Sequence, residues 1–466
     1  MSLYRIVRWL VQLLVGFYFS RIELFHSDRV PDRGPVLFAS NHPNSLADAF
    51  IVGTSVPRKV HFVATVQLFR FKPLKWFLLK CGLIPINRVK DDPRAMRSVL
   101  DTFEACYAVL EQGEAIGIFP EGITHDDPQL KPIKTGTARM ALDLEQRHRG
   151  ELGLHIVPVG LNFSAKDIYR SDVLVHFGEP IRVADFLEGY EAHRKECIQK
   201  LSGRIEEQLQ SLIVHVSKLD QVRLVEAVKS LYLDELRLGN VVISEPLSPQ
   251  AEALVLTRAI TDAVEFASER YPEKVEAFSR KLSRYQRWLS RWKISDAALR
   301  QMTSGEMNLG QSFFWAIPGV LASPVAIYGT LHRLAPAAVI HWALKKFANL
   351  DQHRAQVSTT SILAGLVSFG CFYSLYFLVA QWWFGWPIAF WYLLSLPVAS
   401  LVAYYYWREA QRWTAGVRNV VTWMRRPKAI RRLQITRAEL IEDIERLRRE
   451  YRKHLMEKTE SKRAAH

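Results

Sequence analysis

From Ser361 to Trp407 the chain contains no Asp, Glu, Lys or Arg. Few folds accept such a run. At about 20 residues per bilayer crossing it makes two spans; the plainer reading, a buried helix pair, needs a soluble domain able to cover it. The pattern puts the spans at 361–383 and 387–407, joined by the turn Phe384-Gly385-Trp386-Pro387. Arg333, Lys345, Lys346 and Arg354 precede the run and Arg408, Arg412, Arg418, Arg425 and Arg426 follow it, whereas the turn carries no basic residue. Basic flanks stay on the cytoplasmic side, so the expectation is a hairpin with both ends cytoplasmic.

A third uncharged stretch, Phe313 to His332, contains Pro318 and Pro324. Prolines interrupt a straight helix, so a re-entrant or interfacial segment is expected, with a kinked span as the alternative. At the N-terminus, Arg5-Ile6-Val7-Arg8 leads into an apolar run from Trp9 to Phe19, and Ser20-Arg21-Ile22-Glu23 after it offers no small-residue cleavage site. That favours an uncleaved helix lying in the membrane interface over a signal sequence; a full N-terminal span is the other form. From Arg408 onward 17 basic residues face 8 acidic ones, over half of the net charge of +15. Ile435, Leu440, Ile444 and Leu447 recur there at helical spacing. A basic segment just beyond a cytoplasmic span end fits anionic lipid headgroups better than nucleic acid; a solvated helix is the third reading.

The remainder of the 466 residues is globular in composition: hydrophobic residues make up 49% and charged residues 23% of the chain, which excludes a disordered protein. The 4 cysteines, Cys81, Cys106, Cys197 and Cys371, form no CxxC pair, so neither a disulfide framework nor a zinc ribbon is expected. Short apolar runs at 36–40, 60–64, 83–87, 115–119, 154–159 and 173–177 alternate with helical patterns near 46–54, 68–80, 94–112 and 134–147. Pro93 is a helix start and Gly113 a stop. Such alternation predicts an α/β domain, a mixed sheet flanked by helices. The expected organisation is an interface helix (1–24), the sheet domain (25–215), a helical extension (216–305) broken near Gly239 and Pro246, an apolar segment (306–350), the hairpin (351–407) and a basic helical tail (408–466).

Chemistry concentrates in the sheet domain. In Ser40-Asn41-His42-Pro43-Asn44-Ser45-Leu46-Ala47-Asp48, His42 leaves a strand end and Pro43 keeps it extended, displaying the imidazole where α/β sheets bind ligands. Imidazole, with an ordinary pKa near 6.5, takes a proton from a hydroxyl when one nitrogen is free. A nearby carboxylate fixes its tautomer. Equally, Ser45 to Asp48 reads as a variant capping box and His42 as a loop histidine. Phe119-Pro120-Glu121-Gly122-Ile123-Thr124 ends a second strand. The Gly122 amide could face an anion, and Glu121 could bind hydroxyls; a surface turn is the plainer reading. Gly82-Leu83-Ile84-Pro85-Ile86-Asn87-Arg88 puts a guanidinium, suited to phosphate, at a third strand end. Lys134-Thr135-Gly136 opens a helix and supplies a second possible anion contact. Ile156-Val157-Pro158-Val159-Gly160 is an apolar strand able to line a channel. There is no GxxxxGK[ST], HExxH or GxSxG motif, and His125-Asp126-Asp127 suits a turn better than a metal site.

Taken together, Asn41-His42…Asp48, Gly82…Pro85-Ile86-Asn87-Arg88, Phe119-Pro120-Glu121-Gly122 and Val157-Pro158-Val159, in this order, resemble the glycerolipid (PlsC-like, lysophospholipid) acyltransferase superfamily over roughly residues 25–215. The resemblance implies transfer of an acyl group from acyl-CoA or acyl-carrier protein to a glycerol-phosphate hydroxyl, without a cofactor or metal. It implies His42 as general base and Asp48 as its orienting partner. Substrate-binding positions would be Asn41, Asn44, Arg88, Glu121, Gly122, Thr124 and Lys134. The family's usual form has four residues between His and Asp; here five separate His42 from Asp48, so either the Pro43-Asn44-Ser45 loop bulges or the pair differs in geometry. The His-Pro-Asn-Ser-Leu-Ala-Asp form and the apolar C-terminal part look like the fungal-type enzymes that acylate the first position of glycerol-3-phosphate or dihydroxyacetone phosphate. A lysophosphatidate acyltransferase is the second reading and an inactive membrane scaffold the third. The partners implied are thioester, glycerol phosphate and a bilayer with anionic headgroups, no nucleic acid. The host is a bacterial inner membrane or endoplasmic reticulum, with the catalytic domain cytoplasmic.

Overall fold

The computed structural model describes residues 3–86, 96–127, 129–216, 218, 221–238, 248–304, 316–348 and 356–464. Asn87, Arg88, Pro93, Gly239, Pro246 and Arg354, with residues 313–315, lie outside the described residues. The chain divides into two units, Met1–His215 with Leu247–Leu254 and Trp342–Leu366, and Val216–Pro246 with Val255–His341 and Val367–His466.

In the first unit, runs of β-branched residues form β1 (Arg21–Phe25), β2 (Val36–Ser40), β3 (Val60–Thr65), β4 (Ile84–Ile86), β5 (Ala115–Ile118), β6 (His155–Phe163), β7 (Asp172–Phe177) and β8 (Ile181–Arg182). They make one mixed sheet of order β1-β7-β6-β2-β5-β3-β4, with β8 also on β6. The pairs β6·β2, β2·β5, β5·β3 and β3·β4 are parallel, and β7 and β8 run antiparallel to β6. Parallel strands are covered on both faces, and β2 shows it. Leu37 and Ala39 join a core beneath α4 (Met96–Glu111), α5 (Gly136–Arg147) and α6 (Arg194–Leu212). Val36 and Phe38 join the opposite core, with α1 (Leu3–Tyr18), α2 (Leu46–Ser55) and Ile362. A short helix α3 (Lys72–Lys80) follows β3.

The expected interface helix over 1–24 stops at Tyr18, and residues 21–25 form a parallel edge strand on β7. The reason is local: the Ser20 N–H donates to Ser171 O at 2.8 Å, and Arg21-Ile22-Glu23-Leu24 alternates with the strand period.

The second unit is helical. α7 (Val222–Leu238), the part of α8 (Pro249–Arg270) after Leu254, α9 (Pro272–Trp292), α10 (Asp296–Ser304) and α14 (Pro427–Ala464) share one core, to which α14 contributes Ile430, Leu433, Leu440 and Ile444. Arg437, 13% exposed, pairs with Glu235 at 2.9 Å and Asp296 at 3.1 Å. The segment expected as a basic helical tail over 408–466 is helical, and α14 packs into the helical core through one apolar stripe while most of its cations stay in solvent.

Two helices, α12 (Val357–Phe384) and α13 (Trp386–Arg425), are long and apolar enough to cross a membrane by length and composition. They part at Gly385, whose φ of 80° favours glycine, and Trp382, Trp383, Trp386 and Trp391 are exposed around that turn, as in an interfacial aromatic belt. α13 runs on past Trp407 to Arg425.

The expected break at Pro318 and Pro324 does not occur: Ala316–Phe347 is one helix, α11, with Pro324 and Pro336 inside it. A proline frees the carbonyl four residues earlier, and neighbouring hydroxyls can take over its hydrogen bond. Here Ser323 Oγ donates to Val320 O at 2.7 Å and Tyr376 Oη to His332 O at 3.5 Å. Gly329 lies so close to α13 that a Cβ would sit 2.1 Å from Ala399 O, a small-residue crossing of the kind membrane helices use.

Candidate active site

β2 and β5 end side by side, Ala39 level with Ile118, while β6 passes them at Pro158 and runs on to Phe163. The loops that follow carry Asn41 to Ser45 and Phe119 to Lys134. Asn41 closes on β6: its Nδ2 donates to Leu161 O at 3.1 Å, and Leu161 N–H donates to its Oδ1 at 2.7 Å. The substrate contact expected of Asn41 is replaced by this backbone clamp, which fixes where His42 emerges.

His42 Nδ1 lies 2.9 Å from Asp48 Oδ2, and the same oxygen accepts the Asn44 N–H at 2.7 Å. The five-residue spacing is absorbed at Ser45, whose φ of 54° and ψ of −133° turn the chain back before α2 begins. Ser45 makes no side-chain cap, so the capping-box reading is replaced by a carboxylate reaching past its own helix start to the imidazole. Asp48 is fully buried and His42 is 18% exposed at the side chain. Burial pushes the Asp48 carboxyl up, opposed by its hydrogen bond and charge contact with His42, the Asn44 amide and the charge of Lys166. Nε2 of His42 is left without a protein partner among the described residues.

The ring itself is seated by aromatics. His42 stacks on Phe119 with centroids 4.0 Å apart at 13°, and Phe62 continues the stack 6.2 Å beyond Phe119. Gly117 makes room, since a Cβ there would fall 2.3 Å from the Phe62 ring. A glycine inside an apolar strand was the sequence signal for this close approach.

Glu121 is buried, and its carboxylate is consumed inside the protein. Oε1 accepts the His42 N–H at 2.9 Å; Oε2 accepts the Lys131 N–H at 2.8 Å and meets His125 Nε2. The carboxylate expected to bind acceptor hydroxyls is thus 2% exposed and held by three protein groups, and it fastens the loops around His42. Gly122 donates its N–H to Phe119 O at 3.0 Å, closing the turn, so this amide does not face an oxyanion. Its φ of +68° keeps the turn glycine, and the Lys134 side chain lies across it, where a Cβ would be 2.5 Å from Nζ. Lys134 thus brings an exposed cation to this edge. Thr124 sits half-buried on the same loop. Of the His125-Asp126-Asp127 run, His125 turns to Glu121, Asp126 to Lys166 and Asp127 to Lys131, so the three side chains diverge.

Two positions that sequence reasoning missed come from the start of α12. Asn44 Nδ2 donates to Ser358 Oγ at 3.2 Å, and the Ser358 hydroxyl donates to Lys166 O. The Ala47 N–H donates to Thr359 Oγ1 at 3.2 Å, and that hydroxyl to Asn44 O at 3.4 Å. Asn44, expected at the substrate, is thereby a buried buttress of the His42 loop. The Ser-Thr-Thr cluster before an apolar run was the available signal, but it reads as an ordinary helix start.

A family model described as Acyltransferase matches residues 21–162. The chain is 24% identical to an uncharacterized acyltransferase of Schizosaccharomyces pombe over 48% of its length and 46% of the relative's. It is 25% identical to glycerol-3-phosphate O-acyltransferase 1 of Saccharomyces cerevisiae over 70% of its length and 54% of the relative's. It is 25% identical to the 1-acyl-sn-glycerol-3-phosphate acyltransferase of Bacillus subtilis over 43% of its length and 91% of that protein's. The chain thus spans about half the length of the two yeast relatives.

Proposed function

We propose, from the match of residues 21–162 to the family model described as Acyltransferase, that this protein transfers a fatty acyl group from acyl-CoA or acyl-carrier protein to the sn-1 hydroxyl of glycerol-3-phosphate or dihydroxyacetone phosphate. The observation that carries the reading is the His42–Asp48 pair: Nδ1 held at 2.9 Å by a buried carboxylate, Nε2 unengaged, at the open edge of the sheet. The hydroxyl proton passes to Nε2 while its oxygen attacks the thioester carbonyl carbon. The tetrahedral adduct collapses, the C–S bond breaks, and the imidazolium returns its proton to the departing thiolate. Asp48 holds the tautomer and stabilises the imidazolium. Arg88, as the resemblance implies, and Lys134 at the rim hold the acceptor phosphate, and juxtaposition supplies much of the rate. The two apolar helices would anchor the chain in the bilayer, where the acyl chain resides, with the catalytic domain on the cytoplasmic side.

The choice of glycerol-3-phosphate over lysophosphatidate is supported by the match to the yeast relative, which extends over 70% of this chain. The Bacillus relative, covered over 91% of its own length, favours the second reading, lysophosphatidate acylation. Purified full-length protein is given labelled acyl-CoA with each of glycerol-3-phosphate, dihydroxyacetone phosphate, lysophosphatidate and a lysophospholipid. One of the first two is expected to be acylated fastest, and preference for lysophosphatidate selects the second reading. His42→Ala is expected to lower kcat by about 10²–10⁴-fold; wild-type rates from it would reject the general-base role.

A further inference from the structure

The opposite end of the sheet carries a second recess, of about 650 Å³, lined by Leu3, Tyr4, Arg5, Arg8, Pro57, Lys59, Trp76 and Lys80. That volume lies within the range of small-ligand sites, about 300–1,000 Å³. Lys59 immediately precedes β3, and Val60 is level with Ala115, which is level with Val36 at the start of β2. His42 lies beyond the far end of β2, roughly 20 Å away at the rise of an extended chain. The recess is therefore distinct from the edge where acyl transfer is proposed.

Its chemistry is one-sided. Four cations line it, and none of Arg5, Arg8, Lys59 or Lys80 forms an ion pair among the described residues. Arg8 is fixed by the chain just past α2, donating Nη1 to Pro57 O at 2.9 Å and Nη2 to Val56 O, while its Nε is buried without a partner. Lys59 Nζ lies 5.6 Å over the Tyr4 ring. Cations clustered on one concavity raise its positive potential and attract an anion. The walls of the recess then say which anion. α1 exposes Ile6, Trp9, Leu10, Leu13 and Phe17, and α3 with the residue before it exposes Phe71, Leu74, Trp76, Phe77 and Leu79. Apolar and aromatic surface of that extent beside a basic recess matches a membrane interface.

We propose that this recess binds the phosphate of an anionic phospholipid headgroup, with the lipid's tails lying along the exposed faces of α1 and α3. Arg8 is pre-oriented by the carbonyls of Val56 and Pro57, Lys59 and Lys80 supply the rim charge, and Trp76 sits at headgroup depth. The site gives the domain a fixed seat on an anionic membrane that does not depend on the apolar helices.

The test uses full-length protein in neutral detergent micelles, with melting followed against dioctanoyl phosphatidylglycerol, dioctanoyl phosphatidylcholine or inorganic phosphate. The glycerol lipid is expected to raise Tm saturably, and the other two are not. Arg5→Glu with Lys80→Glu is expected to weaken that apparent affinity by about tenfold or more. Arg5→Gln with Lys80→Gln, which keeps the exposed side chains without reversing charge, is expected to give several-fold weakening if the first pair folds poorly. Lys195→Glu, an exposed charge elsewhere on the same unit, is expected to leave binding unchanged. Equal responses from wild type and both double variants would overturn the site. An equal shift with inorganic phosphate would make it a free-anion site and overturn the lipid assignment. His42→Ala is expected to bind the lipid as wild type does, so failure of acyl transfer and failure of this site are read separately.

Discussion

Ser45 decides whether one extra residue between His42 and Asp48 is tolerated. Its backbone sits at φ 54°, ψ −133°, a region that costs a non-glycine residue about 1–3 kcal/mol. Ser45→Gly is expected to keep activity and raise stability by about 1 kcal/mol, read as a higher Tm. Ser45→Val is expected to lose acyl transfer, because a β-branched residue resists that turn. Lys166 supports the same pair from the side, as its charge draws the Asp48 carboxyl down against the push of burial. Removing it raises that carboxyl further, so the ionised form that orients His42 is lost at a higher pH. Lys166→Met is accordingly expected to move the acid limb of the kcat/KM profile to higher pH; a limb that stays or moves down would reject the contact.

Ser358 and Thr359 are expected to matter without touching the reacting atoms. Ser358→Ala with Thr359→Val removes four hydrogen bonds involving the loop at 44–47 and its neighbour Lys166, each worth about 0.5–1.5 kcal/mol net. A fall in kcat of about tenfold with little change in acceptor KM is expected; an unchanged kcat would make these bonds incidental. Most strands and helices around this loop were legible in the sequence, since β2, β5 and β7 are short apolar runs and α5 ends a polar loop. β1 and β8 were not: one is an edge strand with two charges, the other only Ile181–Arg182. The site was legible as far as residue types go, with His42 and Asp48 paired as the resemblance implied. What sequence hid was direction. Glu121 and Asn41 look like ligands for a substrate, yet both are buried and spent on backbone amides, which no spacing rule reveals. Pro324 misled for a local reason: the carbonyl it frees, Val320 O, is taken up by the hydroxyl of the neighbouring Ser323, so the helix continues.

At the scale of the molecule, the basic C-terminal segment is divided between a continuation of α13 and the packed α14, whose apolar stripe is buried while most of its cations stay exposed. The hairpin can be checked chemically. With Cys371→Ala, Trp386→Cys is expected to react with an impermeant maleimide only from the non-cytoplasmic side, and labelling from the cytoplasm would refute that topology. The other native thiols are buried, and burial pushes the Cys106 thiol up to about 12, which keeps the background low. The hydroxyls of Ser358 and Thr359 also bear on how the protein can be cut. A fragment ending after α6 would retain all eight strands and both His42 and Asp48, yet it would open the underside of the Asn44 turn to water and remove Ile362 from the core beside α1. Trimming to the sheet domain would thus amputate part of the floor on which the imidazole rests.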